Sequence, residues 1–276
     1  MTDSYAVLGN PVVHSLSPVI HAYFAKSTGE DISYGRLLVP RGQFAETVSA
    51  FFKEGGRGCN ITVPCKLDAM AYAREHGELT ETAQAAGAVN TLKVEGDTVL
   101  GDNTDGRGLT QDLRRLGCPL EGARVLLIGA GGAARGIILP LLKTGKVASV
   151  TLVNRTFEKA RELTEWFATD KLQALRFEDL KADYDVVLNA SSSSLMGVLP
   201  PVADTVLKAS SFGYDLMYRP EGKTLFTEHL KSLGVTAHDG LGMLICQAAE
   251  SFYLWRGKRP DVTATTAYLR EYLASQ

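Results

Sequence analysis

No stretch of the 276 residues approaches the ~18 consecutive apolar residues that a membrane-crossing helix needs. No transmembrane segment is therefore expected. An excess of one charge is missing too: 29 basic side chains face 31 acidic ones, interspersed along the chain, for a net charge of −2. That balance leaves no basic stripe for nucleic acid and no polybasic segment for a membrane surface. Cysteine is scarce. Cys59, Cys65, Cys118 and Cys246 form neither metal-ligand pairs nor a disulfide framework. They read as reduced thiols of a cytoplasmic protein. His14, His21, His76, His229 and His238 show no ligand spacing with one another or with the cysteines, so no metal is expected. The first residues lack a basic segment followed by an apolar one, and no export signal is expected. Internal repeats and low-complexity linkers are absent as well. What remains is a chain long enough for one large domain or two modest ones, with ample core.

The most informative stretch is Arg124-Val125-Leu126-Leu127-Ile128-Gly129-Ala130-Gly131-Gly132-Ala133-Ala134-Arg135-Gly136. An apolar run of the kind buried in a parallel sheet leads into a glycine-rich turn. Gly129 permits a tight turn, Gly131 lets a pyrophosphate approach the backbone, and Ala134 stands where close helix–strand packing needs a small residue. The helix that follows directs its free N–H groups and positive dipole end at the phosphates. Such a turn also occurs without a ligand, but the next strand, residues 150–153, ends in Asn154-Arg155-Thr156. An NAD site would place a carboxylate there for the ribose 2′-hydroxyl. A neutral Asn154 followed by Arg155, with Lys159 close behind, favours the 2′-phosphate of NADP.

The first hundred residues alternate strand-like and helix-like segments, which predicts a mostly parallel sheet. Strands are expected at residues 5–8, 33–39 and 58–63, and helices from Pro18 (with Ser17 as N-cap), over 43–54 and over 66–76. A hairpin is expected over 91–101. A helix over 106–116 leads to the nucleotide-binding strand, with further strands near 185–189 and 211–215. The expected architecture is α/β with two domains. A substrate-binding catalytic domain, residues 1–106, is completed by C-terminal helices 241–276. A Rossmann-type NADP-binding domain spans 107–240, with the active site in the cleft between them.

Three polar clusters fall at the ends of elements in the first domain. Ser15-Leu16-Ser17-Pro18 sets two hydroxyls at the start of a helix, a setting suited to a carboxylate. Asn60-Ile61-Thr62-Val63-Pro64-Cys65-Lys66 puts Asn60 and Thr62 on one strand face and a lysine just past the strand end. Gly87-Ala88-Val89-Asn90-Thr91 and Gly101-Asp102-Asn103-Thr104-Asp105-Gly106 read singly as turns and caps, but the second lies at the proposed domain boundary.

These clusters, in this order, resemble shikimate dehydrogenase across nearly the whole chain, through Asp239-Gly240-Leu241-Gly242-Met243-Leu244 and Gln247. The resemblance implies NADP-dependent reduction of 3-dehydroshikimate to shikimate, with Lys66 and Asp105 as the catalytic pair. It implies Ser15 and Ser17 for the substrate carboxylate, and Thr62, Asn90, Asp105, Tyr218 and Gln247 for the ring hydroxyls, with Asn60 in support. Residues Gly129, Ala130, Gly131, Gly132 and Ala133 would hold the pyrophosphate. Asn154, Arg155, Thr156 and Lys159 would hold the adenosine phosphate, with Leu216 and Gly240 at the nicotinamide and Glu81 near the cofactor. A monomer or homodimer with a small-molecule substrate is expected. Three positions depart from the family pattern. Cys65 replaces a common Phe beside the lysine and is expected to make the enzyme sensitive to alkylation. Ser191-Ser192-Ser193-Ser194 replaces a Thr-Ser-x-Gly segment, and Lys159 replaces an arginine. The alternatives are a quinate/shikimate dehydrogenase with broader substrate and cofactor use, and a non-catalytic NADP-binding regulatory module. Retention of both Lys66 and Asp105 argues against the second.

Overall fold

The computed structural model describes residues 2–181, 184–194 and 196–276. In chain order the elements are β1 (Asp3–Gly9), α1 (Ser17–Thr28), β2 (Ile32–Leu38), α2 (Phe44–Lys53), β3 (Gly56–Ile61), α3 (Lys66–His76), β4 (Gly77–Leu79), α4 (Glu81–Ala86), β5 (Thr91–Glu95), β6 (Thr98–Asp102) and α5 (Asp105–Arg115). They continue with β7 (Arg124–Ile128), α6 (Gly132–Lys143), β8 (Ser149–Val153), α7 (Phe157–Phe167), β9 (Leu172–Leu175), β10 (Val186–Asn189), β11 (Phe212–Asp215), α8 (Leu225–Ser232), β12 (Thr236–Asp239), α9 (Leu241–Arg256) and α10 (Val262–Ala274). The chain divides into two compact units. One is Met1–Gly108 with Ile245–Leu269, the other Leu109–Leu244 with Arg270–Gln276.

The first unit holds a six-stranded sheet of order β2-β1-β3-β5-β6-β4. β1 pairs in parallel with β2 and β3, the β5–β6 hairpin is antiparallel to β3 and within itself, and β4 pairs with β6 in parallel. Alternation along the strands sorts the two faces. Ala6, Leu8, Cys59 and Ile61 join Val48 of α2 and Ala69 and Ala73 of α3 in one core. Tyr5 points the other way and stacks on Trp255 of α9 with centroids 4.6 Å apart. The Trp255 indole donates to the Leu92 carbonyl at 3.0 Å, and Phe24 of α1 meets Phe252 edge-on. Helix α9 is thus part of this unit's core, contributing on the order of 1.5–3 kcal/mol for each large side chain it buries.

Several segments differ from expectation. The third strand runs Gly56–Ile61 rather than 58–63: the Thr62 amide still donates to the Leu8 carbonyl of β1, and the chain then turns, the Cys65 amide closing on the Thr62 carbonyl. Ser17 is the first residue of α1 and Leu16 its cap, so the helix has no side-chain cap. The short β4 and α4 are not among the expected elements, although α4 is bounded by a Thr80 N-cap and a left-handed Gly87.

Asp102, at the end of β6, shows how the loop before α5 is fixed. It is buried, accepts from the hydroxyls of Thr80 at 2.6 Å and Thr82 at 2.8 Å, and pairs with Arg107. Burial alone would raise its carboxyl, but Arg107 and the two threonines outweigh burial and hold it below the ordinary value. A carboxyl lowered in the folded state stabilises above its ordinary range, and that stability is lost as pH falls through the folded value. Asp102→Asn is expected to lose about 1.5–3 kcal/mol at neutral pH. Its deficit should shrink as pH drops below the unfolded aspartate value of 3.8, as measured by denaturant titrations at several pH values.

The second unit holds a six-stranded, all-parallel sheet of order β12-β11-β10-β7-β8-β9. Read from β9, the strand order is that of the doubly wound dinucleotide fold, with the switch point between β7 and β10. Val125, Leu127, Val150, Leu152, Val186 and Leu188 pack under Ile137, Ile138 and Leu141 of α6. The alternate positions Leu126, Ile128 and Val187 pack on Phe226 and Leu230 of α8.

Candidate active site

In the first unit, the polar residues singled out in the sequence form one connected network. Lys66, the first residue of α3, donates from Nζ to Asp105 Oδ2 at 2.6 Å. Asp105 opens α5, where the helix dipole favours its charge. Its other oxygen accepts from Asn90 Nδ2 at 2.8 Å, and its amide donates to Asn103 Oδ1 at 3.2 Å. The Lys66 side chain is 31% exposed and that of Asp105 13%, so the pair is reachable yet largely shielded.

Asn90 is the hub. Its side-chain amide also reaches the Thr104 hydroxyl at 2.9 Å and Gln247 Oε1 at 3.4 Å, and its side-chain oxygen accepts from the Thr104 amide and the Thr91 hydroxyl. Gln247 is brought close because Gly108 of α5 has no side chain; a Cβ there would sit 2.6 Å from the Gln247 amide nitrogen. Asn60 is buried and spends its amide on Ser251 (2.9 Å) and Thr91 (3.1 Å), while its oxygen accepts from the Tyr34 hydroxyl at 2.7 Å. Tyr34 in turn meets the Ser17 hydroxyl and stacks on buried His21, whose pKa is pushed down to about 3 by burial. Ser15 donates to Ser17 Oγ at 3.2 Å, and Arg36 holds the Ser15 carbonyl at 2.7 Å.

The turn that follows β3 brings Thr62 against Gly9, where a Cβ would lie 2.4 Å from the threonine methyl. Tyr34, His21, Ser251 and Arg36 are not among the residues the sequence points to. They sit on elements whose pairing with β3 or the Ser15 loop is tertiary, and none belongs to a local motif.

Cys65 corrects an expectation. It is 3% exposed, and burial, with Asp68 nearby, raises its thiol above the ordinary value. The thiolate is the reactive form, so burial and a raised thiol both work against its reaction. Cys59, Cys118 and Cys246 are buried as well. Alkylating reagents are expected to leave activity unchanged under native conditions, with the thiols titrating only after denaturation. Rapid inactivation that Cys65→Ser abolishes would contradict this.

In the second unit, Gly129 takes φ +105°, and a Cβ there would press on the Ser191 amide at 3.0 Å. Gly131 caps α6, and neither Gly131 nor Gly132 would bring a Cβ within 4 Å of anything, so the backbone faces open space. That space is a cavity of about 580 Å³ lined by residues that include Gly129, Ala130, Gly131, Gly132, Ala133, Asn154, Arg155, Thr156 and Lys159. Asn154 ties two of its walls, accepting from the Ala130 amide at 3.2 Å and donating to the Thr156 carbonyl at 2.8 Å. Ser191, Ser192, Ser193, Met196, Val198, Pro200, Pro201 and Phe177 also line it. Phe177 and the apolar segment 196–201 carry no sequence signal. A helix N-terminus over glycine backbone, with two cations in the same lining, fits a pyrophosphate and an additional phosphate.

Leu216 and Gly240 do not line this cavity but meet each other, since a Cβ on Gly240 would lie 2.1 Å from the Leu216 carbonyl oxygen. Tyr218 follows on the same turn as Leu216, its hydroxyl raised by burial and by Asp239. Glu81 is exposed at the start of α4 in the first unit and is not part of the cavity lining. Among the described residues no group of three His, Cys, Asp or Glu side chains could hold a metal, and no helix is long and apolar enough to cross a membrane.

A doubly wound dinucleotide sheet and a lysine–aspartate pair at the ends of α/β elements define the class: a nicotinamide-dinucleotide oxidoreductase of the Rossmann type. Family profiles narrow it. Residues 7–92 match the shikimate dehydrogenase substrate binding domain, residues 112–210 the shikimate / quinate 5-dehydrogenase family, and residues 240–267 the shikimate 5′-dehydrogenase C-terminal domain. Shikimate dehydrogenase (NADP(+)) of Herminiimonas arsenicoxydans is 50% identical over 275 residues, covering 99% of each chain. Among solved structures, an Ael1 enzyme from Pseudomonas putida aligns with TM-score 0.91 at 40% identity, covering 97% of this chain and 98% of the other. Shikimate 5-dehydrogenase from Thermus thermophilus, in complex with NADP(H) and shikimate, aligns with TM-score 0.87 at 33% identity, covering 98% and 99%. The chain belongs to the shikimate dehydrogenase family.

Proposed function

We propose that this protein catalyses the reversible, NADPH-dependent reduction of 3-dehydroshikimate to shikimate, a step toward chorismate and the aromatic amino acids. The observation that carries the reading is the 2.6 Å pair of Lys66 and Asp105 beside a hub of amides and hydroxyls. Bound NADPH supplies the hydride. As the carbonyl carbon is reduced, its oxygen gains negative charge, which the Lys66 ammonium stabilises and then neutralises by giving up a proton. Asp105 orients Lys66 Nζ and is itself held by Asn90, so the donor is positioned before substrate arrives.

Ser15 and Ser17, at the start of α1, hold the substrate carboxylate. Thr62, Asn90, Gln247 and Tyr218 contact ring hydroxyls. Asn60 is committed to Ser251, Thr91 and Tyr34, and acts behind them. Gly129, Ala130, Gly131, Gly132 and Ala133 cradle the pyrophosphate, and Arg155 and Lys159 meet the 2′-phosphate, aided by Asn154 and Thr156. Leu216 and Gly240 flank the nicotinamide, and Glu81 approaches the cofactor. Four cysteines outside any disulfide suit a cytoplasmic setting.

The test is direct: purified protein, 3-dehydroshikimate and NADPH, followed by NADPH absorbance. Turnover is expected with NADPH far better than with NADH, and with shikimate far better than quinate in reverse. Absence of turnover overturns the proposal.

A further inference from the structure

Two buried polar side chains at the carboxyl ends of β10 and β11 have no part in the reading above. Asp215 is fully buried, yet both its oxygens are engaged twice over. Its Oδ1 accepts from Asn189 Nδ2 at 3.2 Å and the Met217 amide at 3.1 Å. Its Oδ2 accepts from the Ser194 hydroxyl at 2.5 Å and from Thr224, the N-cap of α8, at 2.6 Å. Asn189 turns its own side-chain oxygen to the Ser191 amide (3.1 Å) and the Ser191 hydroxyl (2.6 Å), and its backbone carbonyl accepts from the Leu216 amide at 2.9 Å.

A buried carboxylate is costly unless its acceptors are filled, so this arrangement fixes whatever donates to it. The donors come from four places: Asn189 at the end of β10, the Met217 amide, Thr224 at the start of α8, and the serine run, whose Ser191, Ser192 and Ser193 line the 580 Å³ cavity and whose Ser191 amide lies against Gly129. We infer that Asp215 and Asn189 are positioning residues that set the shape of the dinucleotide cavity, by tying the serine run that lines it, through Ser194 and Ser191, to one buried carboxylate and its amide partner. The serine run, which departs from the family's Thr-Ser-x-Gly segment, then contributes hydroxyls to this tie rather than to the cofactor.

The inference rests on a dinucleotide binding in this cavity, and its test separates the two. NADPH affinity is measured by fluorescence titration without substrate, alongside steady-state KM values for both substrates, on wild type, Asp215→Asn and Ser194→Ala. Asp215→Asn keeps shape but places an amide N–H₂ where two hydroxyls donate. It is expected to raise the NADPH Kd and KM at least tenfold, while the KM for 3-dehydroshikimate stays within twofold. Ser194→Ala removes a single donor and retains the fold if Asp215→Asn does not; a two- to fivefold rise in NADPH Kd is expected. Equal NADPH affinity in wild type and Ser194→Ala, or losses shared evenly by both substrates, overturns the inference. A wild type that binds no NADPH overturns the reading of the cavity itself.

Discussion

Replacing Lys66 with alanine is expected to lower kcat by about 10³-fold, the range for removing a general acid or a group that stabilises developing oxyanion charge. The KM for 3-dehydroshikimate should stay within a few fold, because the carboxylate and ring-hydroxyl contacts lie on other residues. A fall in kcat and kcat/KM together marks an interaction made in the transition state. Asp105→Asn serves as the companion variant. It keeps an acceptor for Lys66 but sets an amide N–H₂ against the donating Asn90 Nδ2 and removes the charge that draws the ammonium to 2.6 Å. Its loss should be smaller, since the lysine remains. Stopped-flow single turnovers would place both effects on the chemical step. A Lys66→Ala enzyme with kcat within tenfold of wild type would remove Lys66 from the proton-donor role.

The second large effect is expected at Arg155. Hydrogen bonds to a charged partner contribute about 1.5–3 kcal/mol, so Arg155→Ala should lose about 10- to 150-fold in kcat/KM for NADPH. With NADH, which lacks the 2′-phosphate, kcat/KM should barely move. Lys159→Ala should cost less, because a flexible ammonium is a point charge where Arg155 offers a planar fork. Comparing the coenzymes isolates the phosphate contact from any general damage to α7 or its preceding turn. Equal losses with NADPH and NADH would show that Arg155 does not read the phosphate.

The parts legible in the sequence share a property: their signals are local. The apolar run before Gly129 and the turn itself announce β7 and α6 because strand burial, positive φ and a helix start fall within a dozen residues. Lys66 through His76 is helical as expected. Three-residue β4 and six-residue α4 are too short for any period to show. Strand β12, four residues with one charged end, gives only a weak alternation. Strand β3 ends early at a turn that the Cys65 amide closes on the Thr62 carbonyl, and Pro64 inside it has no N–H to give a ladder. Asp215 and Asn189, 26 residues apart, read in sequence as ordinary strand ends because their partnership exists only once β10 and β11 lie side by side. Cys65 departs from expectation for a related reason: closeness to Lys66 in sequence says nothing about solvent access.

Asn60 and its partner Ser251 are 191 residues apart, and Trp255 reaches back to Leu92. For a chain made from the amino end, that separation is also an interval of time. Strands β1 to β6 leave the ribosome first, yet the face that holds Tyr5, where α1 already packs, lacks Phe252 and Trp255 until residues 245–269 appear. At about 5–20 residues per second, the wait is on the order of ten seconds. Meanwhile β7 to β12 are synthesised as one uninterrupted stretch and can pair as they emerge. The half of the protein that carries Lys66 is thus begun first and finished last.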